Sequence, residues 1–235
     1  MEIGMLSILG AGFLIGMKHA LDADHVVAVS TIVSESKSLR RASAVGVRWG
    51  IGHTSTLFLA GLLVLGLGIK IPEKISLSME FAVGLVLLWL GVSTIGGYLV
   101  NKVHAHRHEH DHEHSSHLHF HYHKESEMHE HEHKPKVFRS PMLIGMVHGL
   151  AGSGALMLLV LSTVSSPLAG LLYIMIFGLG STAGMLIIST LVSMPFVVTA
   201  TYAQKVNRYI SLAAGSISVL AGILMMINIA AEMMA

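Results

Sequence analysis

The chain has 235 residues, 52% of them hydrophobic and 12% charged, with 24 Gly, no Cys, a formal net charge of +1 and a mean hydropathy of +0.66. Soluble domains carry about 25% charged residues, so this composition excludes an ordinary water-soluble globule and points to a chain that crosses a membrane several times. The lack of cysteine excludes disulfides and thiolate metal sites, and the near-zero charge gives no case for nucleic acid as a partner.

Six apolar stretches reach the ~20 residues that a bilayer requires. They cover roughly 3–33, 44–68, 78–100, 141–164, 168–198 and 209–234. The start of the chain has no basic stretch ahead of a short apolar core and no small-residue cleavage site, so the first stretch is expected to stay in the protein as a helix. Pro72, Pro141 and Pro167 fall at stretch boundaries, where proline does little harm, and Pro195 falls near the end of the fifth. The expected fold is an all-α integral membrane protein. Six transmembrane helices would form two inverted three-helix repeats, 1–100 and 141–235, joined by a His-rich loop over 101–140.

The first stretch contains Lys18-His-Ala-Leu-Asp-Ala-Asp-His25, two acids and two imidazoles in an apolar setting. An Asp at a membrane-helix centre costs about 2.5–3.5 kcal/mol on insertion scales, so Asp22 and Asp24 require water, a cation or a partner. As one straight helix, residues 3–33 would be ~46 Å long at 1.5 Å per residue, against ~30 Å of hydrocarbon. The helix must be tilted, broken or extended into the interface. At ~100° per residue, His19, Asp22 and His25 share one face of a continuous helix, and Asp24 points away from it. For Asp24 to join them the helix must unwind near Ala23; otherwise Asp24 would orient a ligating histidine through its other ring nitrogen. Nitrogen and oxygen donors without thiolate favour borderline divalent ions such as Ni²⁺, Co²⁺ or Zn²⁺.

The second stretch contributes His53, just after Gly52, and the fourth contributes His148. Ser153, Ser181 and Thr182 are weaker candidates, because such hydroxyls often bond back to helix carbonyls. Arg48 reads as an interface anchor, and Met225-Met226 and Met233-Met234 read as packing groups. Between the third and fourth stretches lies a tract of thirteen histidines: His104, His106, His108, His110, His112, His114, His117, His119, His121, His123, His129, His131 and His133. Interleaved with Glu and Asp, they cannot build a packed core, and the tract is expected to be disordered without metal. Neutral imidazoles bind transition metals, so the tract reads as a metal buffer or sensor whose capacity falls below a pH of ~6.5.

The halves repeat. Gly16-Met-Lys-His-Ala-Leu21 aligns with Gly145-Met-Val-His-Gly-Leu150, and Gly50-Ile-Gly-His-Thr54 with Gly178-Leu-Gly-Ser-Thr182. Gly84 and Gly91 align with Gly215 and Gly222. Three spans per copy is an odd number, so the second copy would be inverted, an arrangement that transporters use around a midplane site. Lys37, Arg40, Arg41, the basic residues flanking the His tract, Lys205 and Arg208 place these loops in the cytoplasm and both termini outside.

His19-Ala-Leu-Asp-Ala-Asp24-His25 resembles the HxxxxDH signature of the nickel/cobalt transporter family. Trp49-Gly-Ile-Gly-His-Thr54 resembles that family's second signature, and Met146-Val-His-Gly-Leu-Ala-Gly-Ser-Gly154 is similar to its short six-span, urease-accessory branch. The resemblance spans all six stretches and leaves out the middle loop. It implies a secondary carrier in the cytoplasmic membrane that takes up Ni²⁺, or Co²⁺, as its transported ion, with His19, Asp24, His25 and secondarily His53 as selectivity groups. The chain departs from longer members in its second half, where spans four to six hold no Asp and only Glu232. An exporter, or a non-transporting factor that delivers metal to the maturation proteins of a nickel enzyme such as urease, would share these features. No phosphate-binding loop and no separate acid–base pair is present, so neither an ATPase nor another enzyme is expected.

Overall fold

The computed structural model describes residues 2–36, 38–68, 72–100, 104–107, 118–121, 140–151 and 166–234. Its membrane body is α-helical. The first stretch is two helices, α1 (Glu2–His19) and α2 (Ala23–Val33), bent by 55°. Leu21 and Asp22 amides close α1 with tight bonds to the Lys18 and His19 carbonyls, at 2.9 and 3.0 Å. Asp22 then turns extended (φ −60°, ψ 145°) and its carbonyl accepts the first bond of α2 from the Val26 amide. The excess length over the bilayer is thus absorbed by a break at Ala20–Asp22, immediately before Ala23.

α3 (Leu39–Gly61) starts at Ser38, whose hydroxyl accepts from the Arg41 amide at 3.4 Å. It ends in a π-helical turn (Leu62–Gly66) and in Gly68, whose φ of +66° favours glycine. α4 spans Glu73–Val100. Within the His tract, β1 (His104–Arg107) pairs antiparallel with β2 (Leu118–His121), His104 opposite His121 and His106 opposite His119; the other nine histidines of the tract lie outside the described residues. α5 (Pro141–Ala151) covers the first 11 residues of the expected fourth stretch, and the rest of that stretch also lies outside the described residues.

α6 (Pro167–Tyr202) starts with Pro167 behind Ser166, which accepts from the Ala169 amide, the pairing that suits a helix N-terminus. It runs through Pro195 and beyond the boundary expected at 198. α7 (Gln204–Met234) follows after the single residue Ala203. Among the described residues, four helices are long and apolar enough to cross a membrane, or five with the bent pair taken as one span.

The main helix pairs are α1 with α6, α3 with α5, α3 with α6, and α4 with α7. Without a hydrophobic drive between helices in lipid, such pairs depend on close backbone approach at small residues. A methyl added at Gly16 would meet the Phe177 carbonyl, and one at Gly145 the Trp49 carbonyl. Gly52 abuts the Met142 carbonyl, and Gly180 the Phe13 carbonyl. Gly50 faces Thr182, and Gly178 faces Thr54. In the α4–α7 pair, Gly91 abuts Gly215 and Gly84 abuts Gly222, with Met226 also packed on Gly84. Each contact has its counterpart at the aligned positions of the other half. Gly96, by contrast, has nothing within 4 Å of an added methyl among the described residues. Gly96→Ala is therefore expected to leave stability in detergent unchanged or raise it by up to ~1 kcal/mol, the usual helix preference for Ala over Gly, read as an unchanged or higher melting temperature.

Candidate metal centre

The break after α1 brings the sequence motif together in space. His19 ends α1, and its Nδ1 sits 2.7 Å from an Asp22 carboxylate oxygen across the turn. Asp22 therefore spends its side chain on His19 rather than on capping α2. In the first turn of α2, His25 Nδ1 lies 3.2 Å from Asp24 Oδ1. Asp24 does not point away from the other groups, as it would on one continuous helix; the break resets the helical phase. It stands beside a histidine ring, in the orienting position that the sequence left open.

α3 and α5 complete the cluster. The His53 ring centroid lies 5.2 Å from that of His19 and 5.3 Å from that of His25, and His148 lies 5.4 Å from His25. His19 and His25 meet edge to face at 4.7 Å. One donor atom from each of His19, His25 and His53 falls within 4.8 Å of the others, and so does one from each of Asp22, Asp24 and His25, so His25 belongs to both groups. His25, His53 and His148 are buried, Asp24 is partly buried, and Asp22 is half exposed.

Hydrogen bonding fixes which nitrogen His19, His25 and His148 offer. His148 Nδ1–H donates to the Ile144 carbonyl at 3.0 Å, which leaves Nε2 with its lone pair. The carboxylates at His19 and His25 act on Nδ1 in the same way, holding the ring and raising the basicity of the opposite nitrogen. Among the described residues, His25 Nε2, His148 Nε2 and both nitrogens of His53 have no hydrogen-bond partner. Buried polar atoms are nearly always paired, so several unpaired nitrogens in one place make this cluster a candidate site. Converging neutral imidazoles backed by two carboxylates can hold a divalent transition ion.

The six residues singled out in the sequence thus lie together or in direct contact with the group. Of the weaker candidates, Thr182 donates to the Gly178 carbonyl at 2.8 Å and lies 3.4 Å from the Thr54 hydroxyl, Ser181 is fully buried, and Ser153 lies outside the described residues. Arg48 is exposed. Two aromatic neighbours were not foreseen: Trp49 lies 4.8 Å from His148 and 6.1 Å from His25, and Phe177 lies 5.4 Å from His19. They occupy matching places one residue before Gly50 and Gly178, and that alignment is the signal that could have found them.

Several helices long and apolar enough to cross a membrane define a multi-pass membrane protein, one that brings imidazoles and carboxylates together into a candidate metal centre. Residues 25–224 match the family described as cytochrome C biogenesis protein transmembrane region. The chain is 42% identical over 228 residues to urease accessory protein UreH of Bacillus sp. (strain TB-90), covering 97% of this chain and 94% of that protein. A 67-residue segment is 37% identical to nickel transporter NixA of Staphylococcus aureus (strain NCTC 8325 / PS 47), covering 27% of this chain and 20% of that protein. Chloroplast protein FOR GROWTH AND FERTILITY 1 of Arabidopsis thaliana is 28% identical over 183 residues, covering 77% of this chain and 48% of that protein. No solved structure matches. The chain belongs to the cytochrome C biogenesis transmembrane-region family and to the UreH-type urease-accessory branch, which is of the nickel/cobalt transporter type. Two of these relatives are named as an accessory protein and as a transporter.

Proposed function

We propose that the chain is a secondary carrier that moves Ni²⁺ across the cytoplasmic membrane, with uptake as the working direction. The observation that carries this reading is the set of unpaired, buried imidazole nitrogens of His25, His53 and His148 beside the Asp-held rings of His19 and His25. A dication entering the membrane loses hydration, and the ring nitrogens replace those waters one for one. With neutral imidazoles, Asp22 and Asp24 supply two negative charges, which match the ion's two positive ones. This match accounts for acids that would otherwise cost about 2.5–3.5 kcal/mol each at the bilayer centre. The relative named as a nickel transporter favours Ni²⁺ over Co²⁺ as the cargo.

The architecture in this reading is six spans in two inverted repeats. The reciprocal contacts support it: Gly16 on Phe177 against Gly145 on Trp49, Gly52 on Met142 against Gly180 on Phe13, and Thr54 meeting Thr182 between the halves. The ion then sits where the two copies face each other, and rocking of one copy against the other would expose it to alternate sides. Basic residues after the first, third and fifth stretches support a cytoplasmic His tract, which in this reading buffers arriving metal. Removing residues 104–133 is expected to leave the initial rate of transport within about twofold and to reduce the amount of metal retained.

A second reading is favoured by the relative named as a urease accessory protein: the helices anchor the His tract, which hands Ni²⁺ to nickel-enzyme maturation proteins without transport. ⁶³Ni²⁺ flux into proteoliposomes separates the two. Saturable flux by the chain lacking 104–133 supports the carrier, and its absence, with the protein folded, supports the anchored delivery factor. Flux that runs only out of the cytoplasmic side would reverse the direction to export.

A further inference from the structure

The face of α3 that meets α5 and the face of α6 that meets α1 are built alike. On α3, the Trp49 carbonyl abuts Gly145, the Trp49 ring lies 4.8 Å from His148, and Thr56 abuts Gly149. On α6, the Phe177 carbonyl abuts Gly16, the Phe177 ring lies 5.4 Å from His19, and Gly184 abuts Ala20. The spacing i, i+4, i+7 keeps each set on one face of its helix. The middle position of the first face is His53, which joins the cluster. The middle position of the second is Ser181, whose amide nitrogen lies 3.0 Å from a methyl built on Gly16, one turn before His19.

Ser181 is fully buried, and among the described residues its hydroxyl has no hydrogen-bond partner. Other hydroxyls of the same helix bond back to it: Thr182 to the Gly178 carbonyl at 2.8 Å, Ser189 to Leu186 at 3.2 Å and Ser193 to Thr190 at 2.8 Å. A membrane-buried hydroxyl that forgoes this bond is unusual and calls for a ligand or another explanation.

We infer that Ser181 Oγ is a further donor to the transported cation, acting from the slot that His53 holds in the other half of the chain. The inference rests on the carrier reading above. It gives the serine a purpose: a hydroxyl is a weaker donor to a borderline divalent ion than an imidazole, and a carrier must let its ion go. A second imidazole opposite His53 would hold the ion longer. Ser181 thus sets release as well as capture.

Because the chain has no cysteine, Ser181→Cys introduces a single thiol at nearly unchanged volume. The test uses the protein lacking 104–133, so that the tract holds no metal. On addition of Co²⁺ or Ni²⁺, the thiol proton is expected to leave as a sulfur–metal bond forms, giving a thiolate-to-metal charge-transfer band in the near ultraviolet. Ser211→Cys, at another buried hydroxyl without a partner among the described residues but on α7, is expected to give no band. Ser181→Ala is expected to weaken Ni²⁺ binding about tenfold, and Ser181→Thr to restore it. The inference is overturned if wild type binds Ni²⁺ while Ser181→Cys shows no band and Ser181→Ala binds as tightly as wild type. A wild-type chain that binds no Ni²⁺ would overturn the carrier reading, and this inference with it.

Discussion

Alanine at His25 is expected to reduce Ni²⁺ flux in proteoliposomes at least about 100-fold, the upper end of what loss of a metal-site group costs. His25 is shared between the imidazole group with His19 and His53 and the carboxylate group with Asp22 and Asp24. Its ring also meets those of His148 and Trp49, so its removal takes away the one residue common to both groups and a neighbour of His148. Asp24→Asn is the milder companion. It keeps an oxygen near His25 Nδ1 but loses one of the two charges that balance the dication. A loss of about 10-fold is expected, in flux and in Ni²⁺ affinity together. Both are read as initial ⁶³Ni²⁺ rates on protein that elutes as a single folded species. Wild-type rates from His25→Ala would place the pathway elsewhere.

The second large effect lies in the backbone. Gly52→Ala drives a methyl into the Met142 carbonyl, and Gly180→Ala drives one into the Phe13 carbonyl. Neither obstacle is a side chain that can rotate away, so the helices must part. Overpacking of this kind costs about 1–3 kcal/mol. The function should suffer more than the stability, because Gly52 precedes His53 on α3 and the partner helix α5 carries His148. Parting α3 from α5 pulls those two rings away from His25. The account expects Gly52→Ala and Gly180→Ala to lower the melting temperature by similar amounts and to cut flux severely, whereas Gly10→Ala, with open space around it among the described residues, changes neither. A silent Gly52→Ala would mean that the α3–α5 seam is looser than the structure has it.

The long helices at 44–68, 78–100, 168–198 and 209–234 and the family were legible in the sequence, since long apolar runs and the HxxxxDH spacing survive without any knowledge of packing. Whether the first stretch breaks at all was not. A helix too long for the bilayer can tilt, project or break, and length alone does not choose among them. The choice depends on Asp22 giving its carboxylate to His19 and turning extended, a local event with no periodic signature. The direction of Asp24 stayed open for the same reason, because a helical wheel holds only for one unbroken helix. Trp49 and Phe177 were hidden by their surroundings: an aromatic ring in an apolar span looks like packing until its partner is known to be an imidazole. His148 carried a readable signal only through its alignment with His19, and Ser181 only through its alignment with His53.

The carrier reading requires a dehydrated cation held by imidazole nitrogens inside the helix bundle. Nickel X-ray absorption on the chain lacking residues 104–133, loaded with one equivalent of Ni²⁺, reads this most directly. The account predicts the outer-shell scattering of several histidine rings around the metal, reduced in His25→Ala. A shell of water or carboxylate oxygens alone, in folded wild-type protein, would contradict it.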